Sequence, residues 1–327
     1  MRINVFAIFL SIALAVGCGQ NVQNKKAEQS AEKVESFAAL PFPDVMPPAV
    51  MSNQQDIAEY MAIHWWDGIT DPLRSYPCDS LLISGVNVAD VEQRMANWTN
   101  VLGMVDMNIA GKAMKRLYDR AEACEKKDTA SNVFERLTSL VDKYFYDPNS
   151  PLRNEDYYAF YAERLANSSL VEPIMQEKYA RQVRLAALNK VGTPAADFRF
   201  SDKRGKMYTL YGIKAEYTLL FFSNPGCNAC KDIIDVLNND QVISGLISQG
   251  TMAVLNIYID EDLDAWRSYM PIYPDNWYNG FDPDLVIRGE ELYNVRAIPS
   301  LYLLDKNKVV IMKDAPEARM FDFLSRL

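Results

Sequence analysis

The sequence predicts two successive parts of different class: an all-helical part, then an α/β part with a central mixed sheet flanked by helices. Residues 52–189 place apolar side chains at helical spacing with almost no alternating pattern. Beyond Gly192-Thr193-Pro194 the pattern turns to alternating and continuous apolar runs. A length of 327 residues is also more than one core usually serves. The composition, 49% hydrophobic and 24% charged, is that of a globular chain able to bury such cores. With 34 basic against 43 acidic residues the net charge is -9, the wrong sign for a phosphate backbone, so no nucleic acid is expected as a partner.

The first segment is expected to direct export. Residues 5–16 form an apolar run behind Arg2, too short to cross a bilayer as a mature helix and of the length of a signal-peptide core. The run ends in Leu14-Ala15-Val16-Gly17-Cys18, which resembles a bacterial lipobox, although leucine more often stands where Ala15 does. Residues 1–17 are therefore read as a signal peptide, and 18–40 as a lipidated Cys18 followed by a flexible polar tether, about 25 Å long as a coil. The plainer alternative is an ordinary secretory signal in which Cys18 has no role. Either reading takes the chain out of the cytoplasm; the first makes it a lipoprotein of the cell envelope, periplasm-facing or at the surface, that meets the membrane through its anchor.

Pro41, Pro43, Pro47 and Pro48 mark entry into the helical part, 41–190. Ser52-x-x-Gln55 and Ser169-x-x-Glu172 have the form of capping boxes and predict helix starts at those serines. Asn87 with Asp90 predicts a third, and helices are expected over 91–107, 112–124, 132–146 and 154–166. His64 lies between Ile63 and Trp65-Trp66 and reads as a packed structural residue. In an exported protein Cys78 and Cys124 either form a stabilising disulfide or remain buried thiols.

In the α/β part, 191–327, Phe198-Arg199-Phe200, a turn at Lys203-Arg204-Gly205 and residues 207–210 predict a small hairpin. Residues 217–222 and 252–259 read as buried strands. Residues 301–304 and 309–312 form a hairpin around Asp305-Lys306-Asn307-Lys308, and a helix runs from Pro316 to the end. The order after the first hairpin is β-α-β-α-β-β-α.

Chemistry is concentrated in Asn224-Pro225-Gly226-Cys227-Asn228-Ala229-Cys230. A strand running through this turn into a helix puts Cys227 at the helix N-terminus, where free backbone N-H groups and the dipole favour a thiolate. Cys230, one turn on, is placed to resolve a mixed disulfide formed at Cys227. A zinc half-site would need further ligands, but the chain has one histidine, His64, and no second Cys-x-x-Cys. No metal or other cofactor is therefore expected, and an inert structural pair is the remaining bland reading.

Together with this turn, Tyr293-Asn294-Val295-Arg296-Ala297-Ile298-Pro299-Ser300-Leu301-Tyr302-Leu303-Leu304 resembles thioredoxin, over about residues 195–327. The resemblance implies a thioredoxin-like fold, a cis-proline at Pro299 facing the cysteines, and an extended substrate segment pairing with the backbone at Ile298. Residues 265–288, with Trp266, Tyr273, Trp277 and Tyr278, sit where periplasmic thioredoxin-like reductases of the cytochrome-maturation type carry an insertion. These aromatics either line a substrate groove or pack the insertion. The sequence departs from thioredoxin in having Gly226 before the first cysteine and Phe221 where a buried aspartate stands. The group that takes the proton from Cys230 is left open among Asp232, Glu216 and Asp260. Residues 63–67 and 146–155 resemble segments of an uncharacterised helical domain fused ahead of thioredoxin-like domains in bacterial lipoproteins.

The expected function is an extracytoplasmic thiol-disulfide oxidoreductase. By analogy with the resembled family it acts as a reductase, with exported protein thiols or disulfides and an unidentified electron donor as partners. The alternative is a binding or scaffold lipoprotein with a passive thioredoxin fold. A peroxidase is weaker, because no Pro-x-x-x-Thr/Ser-x-x-Cys motif precedes Cys227.

Overall fold

The computed structural model describes residues 38–77 and 79–327, so the expected signal peptide, Cys18, nearly all of the tether, and Cys78 lie outside the described residues. Residues 38–327 form one compact unit.

The first part is built on α1 (Gln54–His64), a short hairpin of β1 (Leu82–Ile83) and β2 (Val86–Asn87), α2 (Val88–Leu102), α3 (Met107–Lys127), α4 (Val133–Val141), α5 (Glu155–Ala166) and α6 (Pro173–Ala186). A π-turn over Asp142–Tyr146 extends α4. The expected helical part is present as α1–α6, with one short hairpin between α1 and α2 that the sequence did not signal. Its two-residue strands are too short to show alternation, and Ser84 and Gly85, both with positive φ, make the turn. Two predicted starts also move. Asn53 caps α1 in place of Ser52, its side chain accepting from Gln55 N at 2.8 Å. Pro173 fixes the first turn of α6 in place of a start at Ser169, since its ring presets φ and it has no N-H to leave unpaired. The helix expected over 91–107 is broken where α2 ends at Leu102 and Gly103.

The core of this part centres on Trp98, which is fully buried and donates its Nε1-H to Ala62 O at 2.9 Å. The rings of Trp66 and Phe145 meet it edge-on at 5.7 and 6.1 Å. His64 stacks on Tyr60 and bonds Asp67 at 2.8 Å. Burial pushes the Asp67 carboxyl up, but the hydrogen bonds from Arg116 and His64 and the charge of Arg120 outweigh it and hold the group below its ordinary value. His64 is thus part of a structural cluster.

The second part has β3 (Arg199–Asp202), β4 (Met207–Thr209), β5 (Tyr217–Phe222), α7 (Asn228–Asn239), α8 (Gln241–Ser248), β6 (Met252–Tyr258), α9 (Leu263–Tyr269), β7 (Tyr278–Phe281), α10 (Val286–Gly289), β8 (Ser300–Asp305), β9 (Val310–Lys313) and α11 (Glu317–Leu324). The sheet order is β4-β3-β7-β6-β5-β8-β9, with β5, β6 and β7 parallel to one another and β8 antiparallel to β5. β5 is apolar throughout because both faces are covered. Leu219 and Phe221 face a core with α7, and Leu220 and Phe222 face the opposite core with Tyr293 and Tyr302. Residues 265–288 are not purely inserted material, since they supply β7 to the sheet. There a Cβ on Gly280 would meet the Phe200 ring at 2.5 Å, so glycine is required for the close packing.

A buried cluster of charged groups joins the two parts. Glu155, the first residue of α5, pairs with Lys313 Nζ at 2.9 Å and accepts from Asn294 Nδ2 at 2.6 Å. Arg296 pairs with Asp314 at 2.6 Å, donates to Tyr146 O, and lies 4.5 Å over the Tyr146 ring. Arg153 donates to Asp314 O and Ala315 O, each at 3.0 Å. Lys313 also donates to Ala186 O and Leu188 O. The segment carrying Tyr146 and Arg153 is itself closed by Asn154 N to Phe145 O at 2.9 Å and Ser150 Oγ to Tyr144 O at 2.7 Å. Removing one partner of a buried pair leaves the other charge without compensation, which costs far more than losing an exposed pair. Glu155→Ala is expected to destabilise the protein by about 3–5 kcal/mol. Asp119→Ala, which removes the exposed pair with Arg164, should cost less than about 1 kcal/mol. Denaturant midpoints of the two variants check this difference.

Candidate active site

β5 ends at Phe222 and the chain turns through Ser223, Asn224, Pro225 and Gly226 into α7. Gly226 has φ +74 with open space where a Cβ would stand, so backbone conformation rather than packing calls for glycine there. Cys227 is the N-cap of α7, and its Sγ accepts from Cys230 N at 3.1 Å. The two cysteines form a disulfide with Cα atoms 5.2 Å apart. Their environments differ. Cys227 is half-buried, whereas Cys230 is 1% exposed on the face of α7 that buries Ile233, Ile234 and Leu237.

Across from this turn, Ser300 at the head of β8 pairs with Phe222 at the end of β5. That register carries Ile298 and Pro299 past the sheet edge beside Ser223 and Asn224. The Ile298-Pro299 bond is cis, and the Ile298 side chain packs against the cores on both faces of the sheet. Ser300 Oγ donates to Asp314 Oδ1 at 3.0 Å, so the residue after Pro299 and Arg296, three before it, are held by the same carboxylate.

The floor of the site is polar and uncharged. Buried Ser223 donates to Asn256 Oδ1 at 2.5 Å, Asn256 Nδ2 donates to Asn279 Oδ1 at 3.1 Å, and Asn279 Nδ2 donates to Pro274 O at 2.8 Å. Burial pushes the Tyr273 hydroxyl up, against the hydrogen bonds it shares with Ser223 and Asn256, which keeps this chain neutral. Sequence reasoning missed Ser223, Asn256 and Asn279. For Ser223 and Asn256 the only signal is a polar residue at the end of, or inside, an otherwise apolar strand, and Asn279 has none.

The candidate proton acceptors separate by position. Glu216 precedes β5, at the opposite edge of the sheet from the disulfide, and is exposed beside Lys306. Asp232 is exposed on α7 two residues beyond Cys230, a spacing that points it away from the sulfurs. Asp260 follows β6 at the same edge as the disulfide, where it accepts from Asn224 Nδ2 at 2.7 Å and pairs with Arg288. It steadies the loop that leads to Cys227. Trp266, Tyr273 and Trp277 are buried in the core that contains Cys230 and so pack the fold; Tyr278 is partly exposed beside Tyr208. Cys124 carries a free thiol whose Sγ donates to Thr70 O at 3.5 Å, and burial pushes that thiol up. Among the described residues no group of three or more His, Cys, Asp or Glu is placed to hold a metal ion.

Residues 17–189 match a family model described as a domain of unknown function (DUF5106). A thioredoxin-like protein from Bacteroides caccae of solved structure is 35% identical and covers 87% of this chain and 99% of its own, with a TM-score of 0.74. The C-terminal domain of an uncharacterized protein from Bacteroides fragilis is 45% identical, over 42% of this chain and 98% of its own, with a TM-score of 0.41. A domain of a possible thiol-disulfide isomerase from Cytophaga hutchinsonii is 26% identical, over 43% of this chain and 94% of its own, with a TM-score of 0.37. No curated protein matches the chain.

The difference in exposure predicts which sulfur reacts. After reduction, a thiol-alkylating reagent should label Cys227 at least about tenfold faster than Cys230. Mass spectrometry of the digested protein at increasing reaction times measures the ratio.

Proposed function

The chain belongs to the DUF5106 family, with a thioredoxin-like C-terminal part, and we propose that it is a thiol-disulfide oxidoreductase that reduces disulfides of exported proteins. One observation carries this reading. A half-buried sulfur at the cap of α7 stands over a buried partner sulfur, beside a loop whose Ile298 can meet an extended chain. A helix N-terminus and an N-H aimed at Sγ stabilise negative charge on Cys227.

In the reductive direction the Cys227 thiolate attacks one sulfur of a substrate disulfide. A Cys227-substrate disulfide forms, and the second substrate sulfur leaves as a thiolate that takes up a proton from water. Cys230 then loses its proton, also to water, and attacks Cys227 Sγ. The Cys227-Cys230 bond forms and the first substrate sulfur is released, so two electrons have passed from the protein to the substrate. A dithiol donor of the envelope returns them by the reverse exchange. The buried position of Cys230 makes it a poor target for outside disulfides but a good one-turn neighbour for resolution. The Ser223-Asn256-Asn279 floor contains no carboxylate, and water is the acceptor in this scheme.

The location rests on Cys18 and residues 19–40. A lipid on Cys18 would keep the folded part near a membrane while the polar tether leaves it free to turn. Cys18→Ala should move the protein from the membrane fraction to the soluble fraction, as read by fractionation of the host; membrane association unchanged by the substitution would argue against the anchor.

Cysteine variants test the chemistry. Cys227→Ser should reduce dithiothreitol-driven insulin reduction to background, and Cys230→Ser should accumulate mixed disulfides visible on non-reducing gels. A Cys227→Ser protein as active as wild type would refute the oxidoreductase reading and leave a binding protein with a passive fold.

A further inference from the structure

A cleft of about 430 Å³ opens between the two parts of the protein, beside the loop that leads to Pro299. Tyr146 and Arg181 line it from the first part, and Arg288, Glu291, Tyr293 and Arg296 from the second. It lies at the edge of the sheet that carries the disulfide. Arg296 is three residues before Pro299, and Arg288 pairs with Asp260, which holds the Asn224 side chain in the loop to Cys227. The loop that presents Ile298 therefore also forms a wall of this cleft, through Tyr293 to Arg296.

Its lining is rich in guanidinium groups, each of them paired with a carboxylate. Three guanidinium groups and one carboxylate line it, in a chain of net charge -9. The three arginines do different work. Arg296 is 8% exposed and bound by Asp314 and Tyr146 O, with Glu155 3.9 Å from its Nε, so with the Tyr146 ring beneath it, it forms part of the wall. Arg181 and Arg288 are 55% and 58% exposed, and their guanidinium groups reach the opening from opposite parts of the protein. Their partners are Glu291, itself exposed, and Asp260. The Arg181–Glu291 pair is exposed on both sides and therefore weak, so Arg181 can exchange its partner for another carboxylate at little cost, while Arg288, paired with the partly buried Asp260, has N-H groups left to offer at the opening. A guanidinium fork matches a carboxylate in two parallel hydrogen bonds. The volume is within the roughly 300–1,000 Å³ usual for ligand clefts.

We propose that this cleft receives an acidic, extended segment of the substrate protein, adjacent to its disulfide. The inference rests on the oxidoreductase reading and names the substrate class that the site selects.

Two peptides test it, each joined by a disulfide to a reporter thiol and differing only in two glutamates or two glutamines beside the cysteine. At low ionic strength the full-length protein should show kcat/KM about fivefold higher for the glutamate peptide, and the ratio should fall toward one as salt screens exposed charges. In the double variant R181Q/R288Q the ratio should be close to one. R181E should favour a third peptide bearing two lysines, an inversion that a merely structural arginine would not produce. Equal kcat/KM for the first two peptides in wild type, or an unchanged preference in R181E, would overturn the proposal. Binding of the same peptides with serine in place of cysteine, read by fluorescence anisotropy, separates the two claims. Preferential binding of the glutamate peptide without turnover of either would retain the cleft and reject the oxidoreductase, and turnover without discrimination would do the reverse. Competition by free glutamate as effective as that by the peptide would show a site for any small anion, which also overturns the proposal.

Discussion

The arrangement of this protein depends on the charges buried where its two parts meet. Glu155 and Asp314, with the half-exposed Glu317 beside Arg153, compensate Lys313, Arg296 and Arg153, and apart from Glu317 each of these side chains is less than one-tenth exposed. Taking such groups out of water is costly, and the cost is met only in a geometry that keeps every partner in place. The geometry is correspondingly defined. Arg296 reaches the backbone of Tyr146 as well as Asp314, Arg153 reaches the backbone of Asp314 and Ala315, and Lys313 reaches the ends of α6 and α5 together. A sheet and a set of helices that share no strand pairing are thereby held in one register.

That junction adjoins the sulfur chemistry through a few bonds. Asp314 is bound by Ser300, next to Pro299, and by Arg296 on the other side of that proline. From the opposite flank, Asp260 grips Asn224 in the loop to Cys227. The loop facing the disulfide and the loop bearing it are each tied to a carboxylate, and neither tie uses a cysteine. The backbone on both sides of the disulfide is thus fastened by side-chain hydrogen bonds, while Cys227 stays partly exposed and Cys230 buried.

Much of this frame is legible in the sequence where local chemistry decides. The continuous run of β5, the turn into α7 and the Asn154 cap of α5 each carry their own signal, and each element lies where that signal places it. β7 carried none that was read. Its four residues include Asn279 and Gly280, and what makes them a strand is pairing with β6 and the contact of Gly280 with Phe200, both decided by tertiary packing. At Ser52 and Ser169 the capping pattern was present but a neighbour competed better, Asn53 as an acceptor and Pro173 as a first-turn residue. The charge cluster was invisible for a different reason. Its partners lie more than a hundred positions apart, and a lone arginine or glutamate in a sequence reads as a surface residue.

The direct hold of Arg153 on the backbone at Asp314 and Ala315 has a consequence for how such a chain can diverge. A backbone carbonyl is the same whatever side chain it belongs to, so residue 315 can vary without releasing Arg153, while Glu155, Lys313, Arg296 and Asp314 cannot vary singly. Exchange of one half for that of a relative would carry across some members of the set and not others. Inheritance of the two halves as a unit, with compensating changes arriving in pairs, is the history this junction favours.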